Sequence, residues 1–161
     1  MRRGDGGRFA VVARELGVAR QTLRRALDAA IEAGLVVRNP GHGHPLRPEY
    51  LLTAEGRRLA PACRAVVAAS QHSAAELAKH KWTLPVLAAV LGGTHRFSEI
   101  EDALGDATPR ALAKSLDELT EAGLIERTLV DDRPPRPRYR VGRSARRLAI
   151  AAARLAADAA A

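Results

Sequence analysis

The sequence predicts a mostly α-helical chain with small β wings, built as two tandem copies of one unit, and three observations predict it. Of the 161 residues, 47% are hydrophobic but only 3% are aromatic. The core must therefore be Leu, Val, Ile and Ala, and Ala- and Leu-rich segments favour helix. Apolar residues recur at spacings of three and four before glycines, as in Leu112, Leu116 and Leu119 ahead of Gly123. The second half of the chain also repeats the first.

The repeat is explicit. Ala19-Arg20-Gln21-Thr22-Leu23-Arg24-Arg25-Ala26-Leu27-Asp28 aligns with Thr108-Pro109-Arg110-Ala111-Leu112-Ala113-Lys114-Ser115-Leu116-Asp117 at an offset of 89. Both stretches continue into Glu-Ala-Gly-Leu, ending at Leu35 and Leu124, and reach Arg38 and Arg127. At the same offset Pro45, Arg47, Pro48 and Tyr50 match Pro134, Arg136, Pro137 and Tyr139, and Arg57-Arg58-Leu59-Ala60 matches Arg146-Arg147-Leu148-Ala149. Upstream the offset is 88, pairing Arg8-Phe9 with Arg96-Phe97 and Leu16-Gly17 with Leu104-Gly105. One inserted residue in the second turn accounts for the change. Two like units in one chain suggest a fused dimer about an approximate two-fold axis.

The second copy shows the elements in order. Residues 81–91 read as a helix through Trp82, Val86, Leu87, Val90 and Leu91, with Pro85 near its first turns and Gly92-Gly93 ending it. Residues 98–104 form a short helix with Ile100 and Leu104 inward, and 105–107 a turn. Thr108 is an N-cap and Pro109 suits the first helical position. The helix over 109–122 buries Leu112, Leu116 and Leu119, and Gly123 closes it. Residues 124–130 and 138–141 read as strands around a stiff, solvated tip at 131–137. Helix, short helix, turn, helix, hairpin is the order of a winged helix-turn-helix. The predicted fold is a tandem winged helix-turn-helix, a pseudo-two-fold single-chain dimer. Its parts are a first unit at 1–60, a connecting helix at 61–80, a second unit at 81–142, and a C-terminal helix at 143–161 packing between the units.

Charge points to the partner. The chain carries 26 basic and 18 acidic residues, a net charge of +8 with only three Lys. Residues 1–80 hold 13 basic and 7 acidic side chains, net +6, and residues 81–161 hold 13 and 11, net +2. A basic surface attracts nucleic acid, and arginine's planar fork suits phosphate and guanine edges. A helix fits the major groove, and a basic wing lies along the backbone or minor groove. The predicted double-stranded-DNA-binding residues on the recognition helices are Arg20, Gln21, Arg24 and Arg25 in the first copy, with Arg110 and Lys114 in the second. In the wings they are Arg47, Arg133, Arg136 and Arg138.

These residues resemble the HxlR family of bacterial winged-helix transcription regulators. The resemblance rests on Lys81-Trp82-Thr83-Leu84, on Arg96-Phe97 with Ile100, and on Thr108-Pro109-Arg110 with Leu112, Leu116 and Leu119. It continues through Glu121-Ala122-Gly123-Leu124-Ile125-Glu126-Arg127 and Pro134-Pro135-Arg136-Pro137-Arg138-Tyr139. It covers most of residues 81–149. The first copy matches over residues 8–60, including Tyr50-Leu51-Leu52-Thr53-Ala54-Glu55-Gly56. MarR and PadR regulators share the general pattern, and the Lys-Trp opening and Pro-Pro-Arg wing favour HxlR. The resemblance implies a bacterial cytoplasmic, nucleoid-associated regulator of promoter DNA, a repressor, with a small-molecule effector in some members. Family members are typically homodimers with one unit per chain. Here both units share a chain, implying a monomeric pseudo-dimer or a weak homodimer. Lys79-His80 stands in place of the usual Gly-Gly, Gly142 and Ala145 stand where the first copy has Thr53 and Gly56, and the family's reactive cysteine has no counterpart.

Other chemistry is sparse. The one cysteine, Cys63, excludes an internal disulfide and is read as a small buried side chain rather than a sensor thiol. His42-Gly43-His44 lacks the Cys or carboxylate that would complete a metal set, so it reads as solvated wing. Trp82 is a candidate for lining a ligand pocket, weighed against a core role. No catalytic motif stands out and no cofactor or metal is implied, so the expectation is a non-enzyme. No apolar run of about 18 residues predicts a membrane span, and Arg2-Arg3 is followed by no apolar stretch that would make a secretion signal. Only eight residues precede Phe9, so the first copy lacks its first helix. Either the native chain is longer, or the tail and connector cross between the units and cover Val11, Val12, Leu16, Leu23 and Leu27. The alternative function is a small-molecule-binding or drug-sequestering protein on the same scaffold with reduced DNA binding.

Overall fold

The computed structural model describes residues 6–39, 49–70, 81–130 and 136–161. The chain divides into two compact units, Met1–Pro61 and Ala62–Ala161. The first holds β1 (Gly6–Arg8), α1 (Phe9–Leu16), α2 (Arg20–Glu32), β2 (Val36–Asn39), β3 (Glu49–Leu52) and the first half of α3 (Ala54–Ala69). The second takes the rest of α3 and adds α4 (Thr83–Leu91), α5 (Phe97–Leu104), α6 (Pro109–Glu121), β4 (Ile125–Val130) and β5 (Arg136–Val141). A 3-10 turn at Arg143–Ala145 then leads into α7 (Arg146–Ala160). The predicted fold class holds: helices dominate, with small antiparallel sheets. Among the described residues no helix is long and apolar enough to cross a membrane.

The repeat extends to backbone detail. α1 ends at Gly17 and α5 at Gly105, with φ +62° and +58°. Three residues, 17–19, then lead to α2 and four, 105–108, lead to α6, which places the inserted residue in the second turn. α2 and α6 have 13 residues each. Both close in a Schellman turn: Leu35 N–H donates to Ala30 O and Leu124 N–H to Leu119 O, each at 2.9 Å. Gly34 (φ +70°) and Gly123 (φ +66°) supply the left-handed residue that these turns require. The wings share a register, with Val36 opposite Leu52 and Ile125 opposite Val141.

Several expectations are corrected. β5 begins at Arg136, so two residues expected in the tip are strand; residues 131–135 lie outside the described region, as do His42 and His44. Proline is tolerated there because Tyr139 N–H points away from β4 to His95 O at 2.8 Å. Pro137, two residues earlier, faces the same open edge and breaks no ladder bond. β1 is an addition to the predicted elements, since Gly6-Gly7-Arg8 carries no strand signal. It pairs with β3, setting Gly7 opposite Tyr50. In the second unit the same place is taken by His95, whose carbonyl accepts from Tyr139 and whose Nδ1 lies 3.1 Å from Tyr139 O. Cys63 is exposed, not buried. The buried row of α3 is Leu59, Ala62 and Val66, and Cys63 stands one position off it. Partial shielding of its sulfur pushes the thiol pKa up.

The two cores differ in completeness. In the second unit α4 packs against α5, α6, β5 and α7. Val86, Leu87, Ile100, Leu112, Leu116 and Ile125 are sealed, and Leu148, Ala149 and Ala151 of α7 close the cluster. Full burial of each large apolar side chain contributes about 1.5–3 kcal/mol. In the first unit Leu23 and Leu59 are buried. Val12, Leu27 and Tyr50 are half-buried, although their aligned partners Ile100, Leu116 and Tyr139 are buried. Val11 and Leu16 stand 38% and 42% exposed. Among the described residues no helix precedes α1 in the place that α4 takes before α5.

Candidate nucleic-acid interface

The residues that the sequence predicts to contact DNA on the recognition helices lie on or at the start of α2 and α6, and all but Arg20 fall on one face of each helix. Gln21, Arg24, Arg25 and Asp28 follow the i, i+3, i+4, i+7 spacing of a single face, and all are exposed. Arg110, Ala113, Lys114 and Asp117 occupy the aligned positions of α6 and are exposed as well. On the opposite faces Leu23, and Leu112 with Leu116, anchor the helices in their cores. Each row runs about 10 Å along its axis, within reach of a major groove about 12 Å wide. Among the described residues, Arg20, Arg24, Arg25 and Arg110 pair with no carboxylate. Lys114 lies 3.6 Å from Glu118 and is 77% exposed, so water screens that pair and leaves the ammonium accessible.

Each of these helices is locked to its wing by a junction that the two units build differently. In the first, Thr53 N–H donates to Leu35 O at 3.0 Å. The Thr53 hydroxyl donates to Gly34 O at 2.7 Å and accepts from Gly56 N–H at 3.0 Å. In the second, Gly142 N–H donates to Leu124 O at 2.9 Å, and the Ser144 hydroxyl, two residues later, reaches Gly123 O at 3.3 Å. The carbonyls served are the same in the alignment. Gly142 and Ala145 replacing Thr53 and Gly56 therefore relocates the hydroxyl instead of losing it. The close approach moves too. A Cβ would stand 2.0 Å from Leu35 O at Gly56, and 2.5 Å from Gly123 O at Gly142.

In the second wing, Arg136, Arg138 and Arg140 alternate with Pro137, Tyr139 and Val141. Arg136 and Arg140 are exposed. Arg138 is half-buried, and its Nε has no hydrogen-bond partner among the described residues. Arg47 and Arg133 lie outside the described residues. Arg140 continues this basic row and is not among the residues predicted from the sequence. The signal is present in the period-two alternation from Arg136 to Arg140, which extending the tip to Pro137 cuts short. Glu99 of α5 accepts from the N–H groups of His95 (2.8 Å) and Arg96 (3.0 Å). These two bonds hold its carboxyl below the usual carboxylate range, helped by the charges of Arg96 and Arg138. One of the three acids on α5 is thus a helix cap.

Trp82 is half-buried and packs against the core of the second unit, with Lys81 Nζ 4.5 Å from its ring centre. A groove of about 630 Å³ runs beside it, walled by Leu84, Ala88, Leu104, Ala152 and Leu155 with Lys81 at its edge. Trp82 does not line it. Among the described residues no three His, Cys, Asp or Glu side chains come together to hold a metal ion.

The HxlR-like helix-turn-helix family model matches this chain twice, over residues 2–76 and 77–159. The HTH-type transcriptional regulator YvaP of Bacillus subtilis (strain 168) is 33% identical over 66 residues, covering 41% of this chain and 61% of its own length. The HTH-type transcriptional regulator YtfH of Escherichia coli (strain K12) is 34% identical over 74 residues, covering 44% of this chain and 59% of its own length. The chain thus spans about six tenths of the length of these relatives. Among solved structures, the transcriptional regulator ytfH from Salmonella typhimurium aligns with a TM-score of 0.46 at 28% identity, over 55% of this chain and 82% of its own. With the family's unit matched in both halves, the chain belongs to the HxlR-like helix-turn-helix family and carries that unit twice in tandem.

Proposed function

We propose that the chain is a sequence-specific double-stranded-DNA-binding transcription regulator, a repressor that acts by covering a promoter. Both units engage one duplex, so a single chain does the work of a dimer. One observation carries this reading: α2 and α6 match in length, closing turn and register to the wing, and each presents an exposed row that includes two basic side chains. In this reading α2 and α6 enter successive turns of the major groove. Arg20, Gln21, Arg24, Arg25, Arg110 and Lys114 serve as contacts to bases and phosphates, and Arg136 and Arg138 serve the backbone beside the second helix. A titration of labelled duplex against protein at several salt concentrations tests it. Affinity falls steeply with salt, and the Arg24→Ala, Arg25→Ala double variant lowers the slope of log K against log salt by about one to two. A salt-independent affinity, or an unchanged slope in a folded double variant, overturns it.

The groove beside α4 favours a second reading, a protein that binds an apolar small molecule, either as effector or as cargo. An apolar fluorescent anion discriminates the two. If it binds and displaces duplex, the groove is an effector site. If it binds a chain that shows no preference among duplexes, the chain is a small-molecule carrier.

A further inference from the structure

α2 and α6 share two leucines on their inward faces and differ at three of four outward positions, and that outward difference has a consequence for the DNA. The inward residues Leu23 and Leu27 align with Leu112 and Leu116. Of the four outward positions, the first is Gln21 in one helix and Arg110 in the other. The second is Arg24 against Ala113, and the third Arg25 against Lys114. The fourth is Asp in both, Asp28 and Asp117. One position ahead of these rows Arg20 is exposed, where α6 has Pro109, which carries no charge and no donor.

These pairs differ in what they can read. A glutamine amide donates and accepts at once and matches the N6/N7 edge of adenine, while an arginine fork donates twice and matches O6 and N7 of guanine. Arg24 reaches guanine or a phosphate. Ala113 offers only a methyl group, which suits apolar contact with the thymine methyl. A reader with two identical helices demands two identical half-sites, related as a palindrome. Here the helices that would do the reading are not identical, and within one chain each half-site meets a different row of side chains.

We propose that the chain reads an asymmetric operator, with an adenine in one half-site specified by Gln21 and a guanine at the corresponding position of the other specified by Arg110. The inference rests on the reading that α2 and α6 enter the DNA. The half-site under α2 receives three arginines against one arginine and one lysine under α6, so it is the tighter half.

Selection of duplexes by the full chain from a randomised pool tests this. The expected consensus has two unlike halves. Duplexes carrying two copies of either half then bind the parent chain about ten- to a hundredfold more weakly, the discrimination of one bidentate base contact. Gln21→Arg changes the preferred base from adenine to guanine in one half and leaves the other untouched. A consensus that is a perfect palindrome overturns the proposal, as does a Gln21→Arg variant that changes both halves alike. Binding to one half-site alone overturns it too. A folded chain that enriches no sequence at all refutes the DNA-binding function itself, a separate result.

Discussion

Replacing Gly56 by alanine adds one methyl carbon that would stand 2.0 Å from the carbonyl oxygen of Leu35, 3.0 Å from its carbon and 3.2 Å from Leu52 Cδ2. The nearest atom is backbone at the end of a Schellman turn, so no side chain can swing aside. Ordinary contact requires the start of α3 and the base of the wing to part by about 1 Å. That motion pulls Thr53 away from Leu35 O and Gly34 O, two hydrogen bonds worth about 1 kcal/mol each. Overpacking at such a contact adds about 1–3 kcal/mol, while alanine's better helix propensity returns about 1. The net loss is about 2–4 kcal/mol. A unit of 61 residues has a total stability of about 3–9 kcal/mol, so the loss is a large part of it. The melting temperature of the first unit falls by roughly 15–30 °C. Calorimetry of parent and variant measures this, and Gly34→Ala is the comparison. Gly34 has φ +70°, and a Cβ added there would meet no atom within 4 Å, so alanine costs only backbone strain, about 1–2 kcal/mol. A Gly56→Ala protein melting within a few degrees of the parent, or above Gly34→Ala, refutes the argument that the close approach fixes the wing to its helix.

The other predictions follow from the same differences between units. Ser144→Ala removes the hydroxyl that donates to Gly123 O and destabilises the second unit by about 1 kcal/mol, read by urea unfolding, whereas Ser144→Thr restores part of it. The lowered pKa of Glu99 makes its stabilising effect present above the ordinary carboxylate value and lost as pH falls through the depressed one. The gap in urea midpoint between parent and Glu99→Gln is therefore widest near neutral pH and closes below about pH 4. A gap that grows on acidification contradicts the capping role. Amide hydrogen exchange is faster in α2 than in α6, because Leu27 is half-buried where Leu116 is sealed. Equal protection of the two helices contradicts that account of the cores.

Much of this architecture is legible because the repeat supplies a second measurement of every element. The turn glycines Gly17, Gly34, Gly105 and Gly123 announce themselves by position, and all four take a positive φ that no side chain adopts cheaply. The helices are legible from the spacing of Leu112, Leu116 and Leu119. What stays hidden depends on partners distant in sequence. β1 is three residues with two glycines, and only the open edge of β3 makes it a strand. Pro137 argues against a strand until the direction of the Tyr139 N–H places it on a free edge. Composition favours burial for cysteine, whereas the helical phase set by Leu59, Ala62 and Val66 leaves Cys63 outside.

The placement of substitutions within the repeat ties the fold to its use. Where two copies of a unit share a fold, the inward positions of their helices answer to packing: Leu23 and Leu27 match Leu112 and Leu116, while Ala30 stands where the more complete second core has Leu119. The junction answers to hydrogen bonding and can be met in two ways, by Thr53 or by Ser144. The outward row of α2 and α6 answers to neither, since Gln21, Arg24 and Arg25 touch solvent as Arg110, Ala113 and Lys114 do. Stability places no demand on which of these side chains stands there. In the proposed reading their differences are therefore free to be set by the base edges each helix would meet, and a chain with two unlike rows suits two unlike half-sites.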